Sequence, residues 1–243
     1  MRIFGLTDVG RQRSENQDAC AYEILDENRT VFVVCDGMGG AQAGNVASAI
    51  ASDVFMDHMK RDIRPEMSNK YAQSVLLNAI NFANYEVYRK SVSDASYNGM
   101  GTTLVGGFFQ NGCGMLANIG DSRAYYLTDT GVSRITRDHS VVEEMLVKGQ
   151  ITEEQARRHP RRNLITRALG TDERVQADYY PFELNNDTVL LLCSDGLSGM
   201  IDETTIYSVF REHQDMEACT QTLIDAANTA GGHDNITVLM LRA

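Results

Sequence analysis

The chain has 243 residues, 43% hydrophobic and 23% charged, with a formal net charge of −11. That size and balance suit one large domain with a substantial core. The acidic surplus speaks against a general nucleic-acid binder and against docking on an anionic membrane, since both need a basic surface; it leaves room for a cation site built from carboxylates.

No linker-like or low-complexity stretch interrupts residues 1–243, so a single domain is expected. The five cysteines, Cys20, Cys35, Cys113, Cys193 and Cys219, are odd in number and form no C-x-x-C pair. A disulfide framework or zinc site is not expected, and a reducing, cytoplasmic compartment fits best. Neither a signal peptide nor a membrane-spanning run is expected.

In chain order, residues 2–7 read as a strand ending at Asp8, and residues 19–25 as a second. Residues 30–35 (TVFVVC) form a continuous β-branched and aromatic run, the pattern of a buried strand, and stop at Asp36-Gly37. Two amphipathic helices follow. One covers residues 44–60, with Ala47, Ile50, Ala51, Val54 and Phe55 on one face. The other covers residues 69–91, with Val75, Leu76, Ala79, Ile80, Ala83 and Val87 inward. Strands are then expected at 102–109, 113–119, 123–127 and 132–135, joined by turns at Asn111-Gly112 and Asp129-Thr130-Gly131, as an antiparallel meander. A short helix at 141–147 ends by Gly149. Thr152 to Gln155 has the form of a capping box. A second apolar strand, 188–193 (TVLLLC), leads to Ser194-Asp195-Gly196. Helices at 203–211 and 216–229 precede a last strand at 236–241, entered from Asp234-Asn235. Segregated strands and helix pairs point to the α+β class, a layered sandwich.

Aspartates recur at the ends of these strands: Asp36, Asp121, Asp195 and Asp234. If those ends share one edge, the carboxylates converge. They would then repel and protonate unless a hard divalent cation neutralised them. The glycines after Asp36 and Asp195 allow unusual backbone torsions, and Gly37 could offer its carbonyl. At any single Asp-Gly, however, a plain turn is the competing reading. Spacing alone supports an acidic, cation-binding edge.

The ordered motifs go further. Arg13-x-x-Asn16-Gln17-Asp18, Asp36-Gly37-Met38-Gly39-Gly40, Gly99-Met100-Gly101-Thr102-Thr103, Gly120-Asp121-Ser122-Arg123, Ser194-Asp195-Gly196 and Asp234-Asn235-Ile236-Thr237 span the whole chain. With residues 163–170 (NLITRALG), they resemble the bacterial type 2C (PPM) metal-dependent protein phosphatases. The resemblance implies a four-layer αββα sandwich of two antiparallel sheets flanked by helices. It implies an enzyme that hydrolyses phosphoserine and phosphothreonine by direct attack of a metal-bridging water, with at least two Mn²⁺ or Mg²⁺ ions and room for a third. By matched positions, Asp36 and Gly37 join two ions, Asp195 and Asp234 bind the first, and Asp121 with Asp195 matches a third site. Arg13 matches the phosphate-gripping residue. Asp18 and Asn235 fall in the surrounding shell, and residues 139–170 match a mobile flap. Phosphorylated proteins are the implied substrates and a cognate serine/threonine kinase system the implied partner.

Three departures bear on the chemistry. Met38 stands where many relatives carry a histidine proposed as the general acid, and a thioether has no proton to give. Gln17 replaces a glutamate found in many relatives. His139 is expected to be a surface or packing residue rather than a substitute acid, whereas His233 is a candidate to support Asp234. Arg157, Arg158, Arg161, Arg162 and Arg167 concentrate positive charge in the flap; most are expected to serve surface salt bridges, and some to recruit phosphopeptide. Two other functions compete, a pseudophosphatase binding module and a divalent-metal phosphodiesterase. The retained aspartates oppose the first, and the net charge opposes the second.

Overall fold

A computed structural model describes residues 1–185 and 187–243, the side chains of 40–42 and 69 excepted. The chain opens with β1 (Arg2–Asp8), β2 (Asp18–Asp26) and β3 (Arg29–Met38), then the helices α1 (Gly40–Asp62) and α2 (Asn69–Ser91). Next come β4 (Gly101–Thr102), β5 (Leu104–Gln110), β6 (Cys113–Ile119), β7 (Arg123–Thr128) and β8 (Gly131–Arg134), followed by α3 (Val141–Val147) and α4 (Glu153–Arg157). The rest is β9 (Asp178–Glu183), β10 (Val189–Cys193), α5 (Asp195–Ser198), α6 (Glu203–Glu212), α7 (Met216–Thr229) and β11 (Ile236–Arg242).

The strands form two antiparallel sheets, ordered β1-β11-β10-β7-β8 and β2-β3-β5-β6-β9, with β4 paired to β3. Continuous apolar runs are required because each central strand is covered on both faces. Along β3, Phe32 and Val34 point between the sheets, against Leu190, Leu192, Leu239 and Leu241 of the other sheet. Val31, Val33 and Cys35 point outward, into a layer shared with Ala47, Ala51, Phe55, Leu76 and Ile80 of α1 and α2. This is the period-two alternation of a strand with both faces buried. The other sheet repeats it: Leu191, Cys193, Val238 and Met240 pack outward on Ile206, Phe210, Leu223 and Ile224 of α6 and α7. The four layers are therefore helix, sheet, sheet, helix, and each large side chain buried between them contributes roughly 1.5–3 kcal/mol.

Local chemistry sets several boundaries. Ser68 caps α2 by accepting from Tyr71 N, and the capping box opening α4 has both of its bonds, Gln155 N to Thr152 Oγ1 and Thr152 N to Gln155 Oε1. The Asn111-Gly112 hairpin has positive φ at both residues, 51° and 86°, matching the twist of β5 and β6.

Three features depart from the pattern reading. The strand expected at 102–109 is broken at Thr103, which turns its hydroxyl to Asp36. The expected meander is divided, because β5 and β6 belong to one sheet whereas β7 and β8 belong to the other. Residues 120–122 make that crossing. Finally, β9 has no counterpart among the strands expected from the sequence pattern. It carries Pro181, which a strand tolerates at a sheet edge, and β9 pairs on one side only, with β6. Among the described residues no helix is long and apolar enough to cross a membrane.

Candidate metal centre and active site

The ends of several strands open on one cavity of about 460 Å³. Asp36 and Gly37 reach it from the end of β3, Asp121 from the crossing between sheets, Asp195 as the first residue of α5, and Asp234 from the turn before β11. Arg13, Met38 and Thr103 also line it, as do Asn163 and Ile165 from the 139–170 segment.

Crowding of carboxylates dominates the electrostatics. Burial, then the charges of Asp18, Asp195, Asp121 and Asp234, push Asp36 well above the ordinary carboxylate range. Asp121 is lifted to about 8, by burial and then by Asp195 and Asp138. Asp195 is raised by burial and by the charge of Asp234. Protonation relieves such repulsion when no cation does so. One oxygen of Asp195 and one of Asp18 are buried without a hydrogen-bond partner. Among the described residues these groups do not already close into a cluster of three or more metal-ligating side chains; they ring an open cavity. Oxygen-only donors, unpartnered carboxylate oxygens and mutual repulsion fit a hard divalent cation.

The frame around these groups is specific. Asp18 is the register partner of Asp36 across β2 and β3. Its Oδ2 accepts from Ser194 Oγ and Thr237 Oγ1, each at 2.7 Å, while burial lifts its carboxyl to about 7. Asp18 does not line the cavity; it braces the strands that do. Thr103 holds Asp36 through both backbone groups, donating N–H to Asp36 O at 2.8 Å and accepting from Asp36 N at 2.9 Å. The Thr103 hydroxyl also bonds Ser122, next to Asp121, at 2.7 Å. Gly37 must be glycine, because a Cβ there would run into the backbone carbonyl of Gly44. Gly196 stands likewise against the carbonyl of Asn235. Arg13 sits at the cavity rim, its side chain 52% exposed, and donates to Asp234 Oδ2 at 2.8 Å.

All of the aspartates expected at the cavity are found there, together with Arg13 and Gly37; Asp18 and Asn235 stand directly behind them. One histidine expectation changes. His233 is exposed and makes no hydrogen bond to Asp234 among the described residues. His139 takes the packing alternative: it is 6% exposed, bonded at both ring nitrogens and outside the cavity lining. The pattern reading gave no role to Thr103, Ser194 and Thr237. Ser194 and Thr237 stand within two residues of Asp195 and Asn235, and Thr103 ends the Gly99–Thr103 motif, but in each case the partner lies on a distant strand.

The same architecture occurs in solved phosphatases. The serine/threonine phosphatase Stp1 from Staphylococcus aureus matches with a TM-score of 0.92 at 34% identity, covering 99% of this chain and 94% of that one. The fold and the acidic cavity thus place the protein in the class of metal-dependent protein phosphatases. Residues 9–236 match the family described as protein phosphatase 2C, and the chain belongs to that family. It is 37% identical to the serine/threonine phosphatase stp of Listeria monocytogenes (97% of this chain, 93% of the relative) and 36% identical to the protein phosphatase PhpP of Streptococcus pneumoniae (99% and 97%). Its activity is that of a protein-serine/threonine phosphatase acting on phosphoproteins, in a family that depends on Mn²⁺ or Mg²⁺.

Proposed function

We propose that hydrolysis takes place in the 460 Å³ cavity, with Asp36, Gly37, Asp195 and Asp234 holding at least two Mn²⁺ or Mg²⁺ ions and Asp121 with Asp195 serving a third. The observation that carries this reading is the convergence of these aspartates, several with raised carboxyls, on one opening. When bound, the cations supply the positive charge that lets the carboxylates ionise together, and they lower the pKa of water at the site.

The protein's own groups divide the remaining work. Arg13, half exposed at the rim, can turn its planar guanidinium from Asp234 to two phosphoryl oxygens at once, a geometry lysine lacks. Asp18 and Asn235 hold the strand ends and the Arg13 loop in register. Met38 has no proton for the leaving serine or threonine oxygen. The acid is therefore not a side chain at that position. Residues 139–170 act as a flap whose Asn163 and Ile165 face the substrate. A cognate serine/threonine kinase in a reducing cytoplasm would supply the phosphoprotein; buried Cys35 and Cys193 suit that setting.

Phosphate release from a phosphothreonine peptide, with and without Mn²⁺, tests the assignment. Asp36→Asn and Asp195→Asn should each lower kcat by about a hundredfold or more. Wild-type turnover in either variant, or turnover that persists in chelator, would refute it.

A further inference from the structure

His139 lies where three parts of the chain meet. Its carbonyl accepts from Thr166 N at 2.8 Å, and the next residue, Ser140, bridges Ile165; these pairs form the stem of the 139–170 segment. Its N–H donates to Gly120 O at 2.8 Å, and its ring Nδ1 accepts from Gly120 N at 3.1 Å. One residue thus takes both polar groups of Gly120. This glycine has φ +100° and leads directly into Asp121, at the crossing between sheets where no strand pairing can fix the peptide.

Because Nδ1 accepts, the ring proton lies on Nε2. Nε2 is 3.3 Å from Asp178 Oδ2, the first residue of β9, and donates to it. Asp178 Oδ1 accepts from Arg167 at 3.1 Å, and Arg167 also donates to Gln176 O. Arg167 Nη1 lies 3.2 Å from Nε2. Both atoms carry protons, so the Asp178 carboxylate, not a bond between them, joins the pair. Burial lowers the histidine pKa and favours this neutral tautomer.

We propose that His139 is a positioning residue that clamps the Gly120–Asp121 peptide to the stem of the 139–170 segment, so that the Asp121 carboxylate and the cavity-lining Asn163 and Ile165 are set by one joint. The ring meets the need: an acceptor for Gly120 and a donor for Asp178, held rigidly on opposite sides. The inference rests on Asp121 taking part in the metal centre, as proposed above.

Asparagine and glutamine separate the two halves of the joint. His139→Asn keeps an acceptor for Gly120 and loses Asp178. His139→Gln keeps a donor for Asp178 and loses the acceptor for Gly120 N, while the backbone bond to Gly120 O stays in both variants. Each is combined with Asp121→Asn, and Mn²⁺ binding without substrate is measured by calorimetry beside kcat/KM for a phosphothreonine peptide. His139→Gln should weaken the Mn²⁺ binding that depends on Asp121 by roughly tenfold, His139→Asn should recover most of that loss, and His139→Gln should cost nothing further once Asp121 is Asn. Equal losses for the two replacements, or losses that add to that of Asp121→Asn, would overturn the role of His139 alone. Wild-type Mn²⁺ binding in Asp121→Asn would instead overturn the reading of Asp121, and this inference with it. Should His139→Gln not fold, His139→Ala, which also lacks the acceptor for Gly120, goes through the same cycle: a loss of Mn²⁺ binding that vanishes once Asp121 is Asn supports the joint, and additivity overturns it.

Discussion

The side chain of Asn235 accepts a hydrogen bond from the backbone N–H of Gln17 at 2.8 Å, joining residues 218 positions apart. Its amide donates to Val9 O and Glu15 O, each at 2.9 Å. The loop that carries Arg13 is thereby fixed to the turn that carries Asp234, and the Arg13–Asp234 pair at the rim depends on that fixation.

Asn235 is 4% exposed, so Asn235→Ala would remove three part-buried hydrogen bonds, with the Gln17 N–H and the Val9 and Glu15 carbonyls. A loss of about 2 kcal/mol in unfolding free energy is expected. Because the Arg13 loop is also released, KM for a phosphopeptide should rise more than kcat falls. Urea denaturation and steady-state kinetics check both parts. An unchanged KM in a destabilised variant would show that the loop keeps its place without Asn235.

The extent to which such relationships could be read from sequence follows from their range. The bounds of α2, β6 and α7 are legible because caps, turns and apolar periodicity are local signals. The cavity aspartates are legible for the same reason, since each adjoins a strongly apolar strand or the motif that ends one. The support behind them is not. Asp18 is held by Ser194 and Thr237, 176 and 219 positions away, and no local pattern marks a serine as a brace for a remote carboxylate. The break at Thr103 has the same origin, a long-range bond to Asp36 that overrides local strand preference. β9 was hidden by its proline and its acidic ends, which only an edge position accommodates. The place of Asn163 and Ile165 at the cavity is not legible in the sequence: the resemblance gives their segment only as part of a flap, and nothing in the two residues marks them as cavity-lining.

The raised carboxyls fix a pH dependence. Asp18 moves from 3.8 to about 7 and Asp121 from 3.8 to about 8, with burial the largest cause in both. Asp36 and Asp195 shift the same way. Folded-state values above the unfolded ones mean that the folded chain binds more protons. Without cations, stability from these groups is therefore present below the unfolded value and is lost as pH rises through the folded values. Asp26, Asp62, Asp94, Asp178 and Asp202 shift downward, so their contribution is lost only in the acid range, beneath that window. Divalent cations compete with the protons and favour the ionised cluster. In chelator, Tm should fall between pH of about 5.5 and 8.5, and Mn²⁺ should raise Tm more at the upper end than at the lower. Thermal unfolding at both pH values, with EDTA or Mn²⁺, is the check. A Mn²⁺ effect that shrinks as pH rises would contradict the shared protonation of the cluster.

The arginines of the 139–170 segment differ in what they touch. Arg158 pairs with Glu154 at 3.5 Å and Arg167 with Asp178 at 3.1 Å, so both serve local structure. Arg161 and Arg162 are exposed and form no ion pair among the described residues, yet they directly precede Asn163 at the cavity. In a chain of net charge −11, they are cations available to an acidic phosphoprotein approaching the opening. Replacing both with Ala should raise KM for a phosphoprotein about fivefold at low ionic strength, an effect that salt should erode, because exposed charges contribute little each and are screened. A small aryl phosphate reaches the cavity without covering this surface, so its KM should hold. Parallel titrations of the two substrates at low and high salt decide the point: equal shifts for both would place the arginines in the catalytic step or in the fold, not in recruitment.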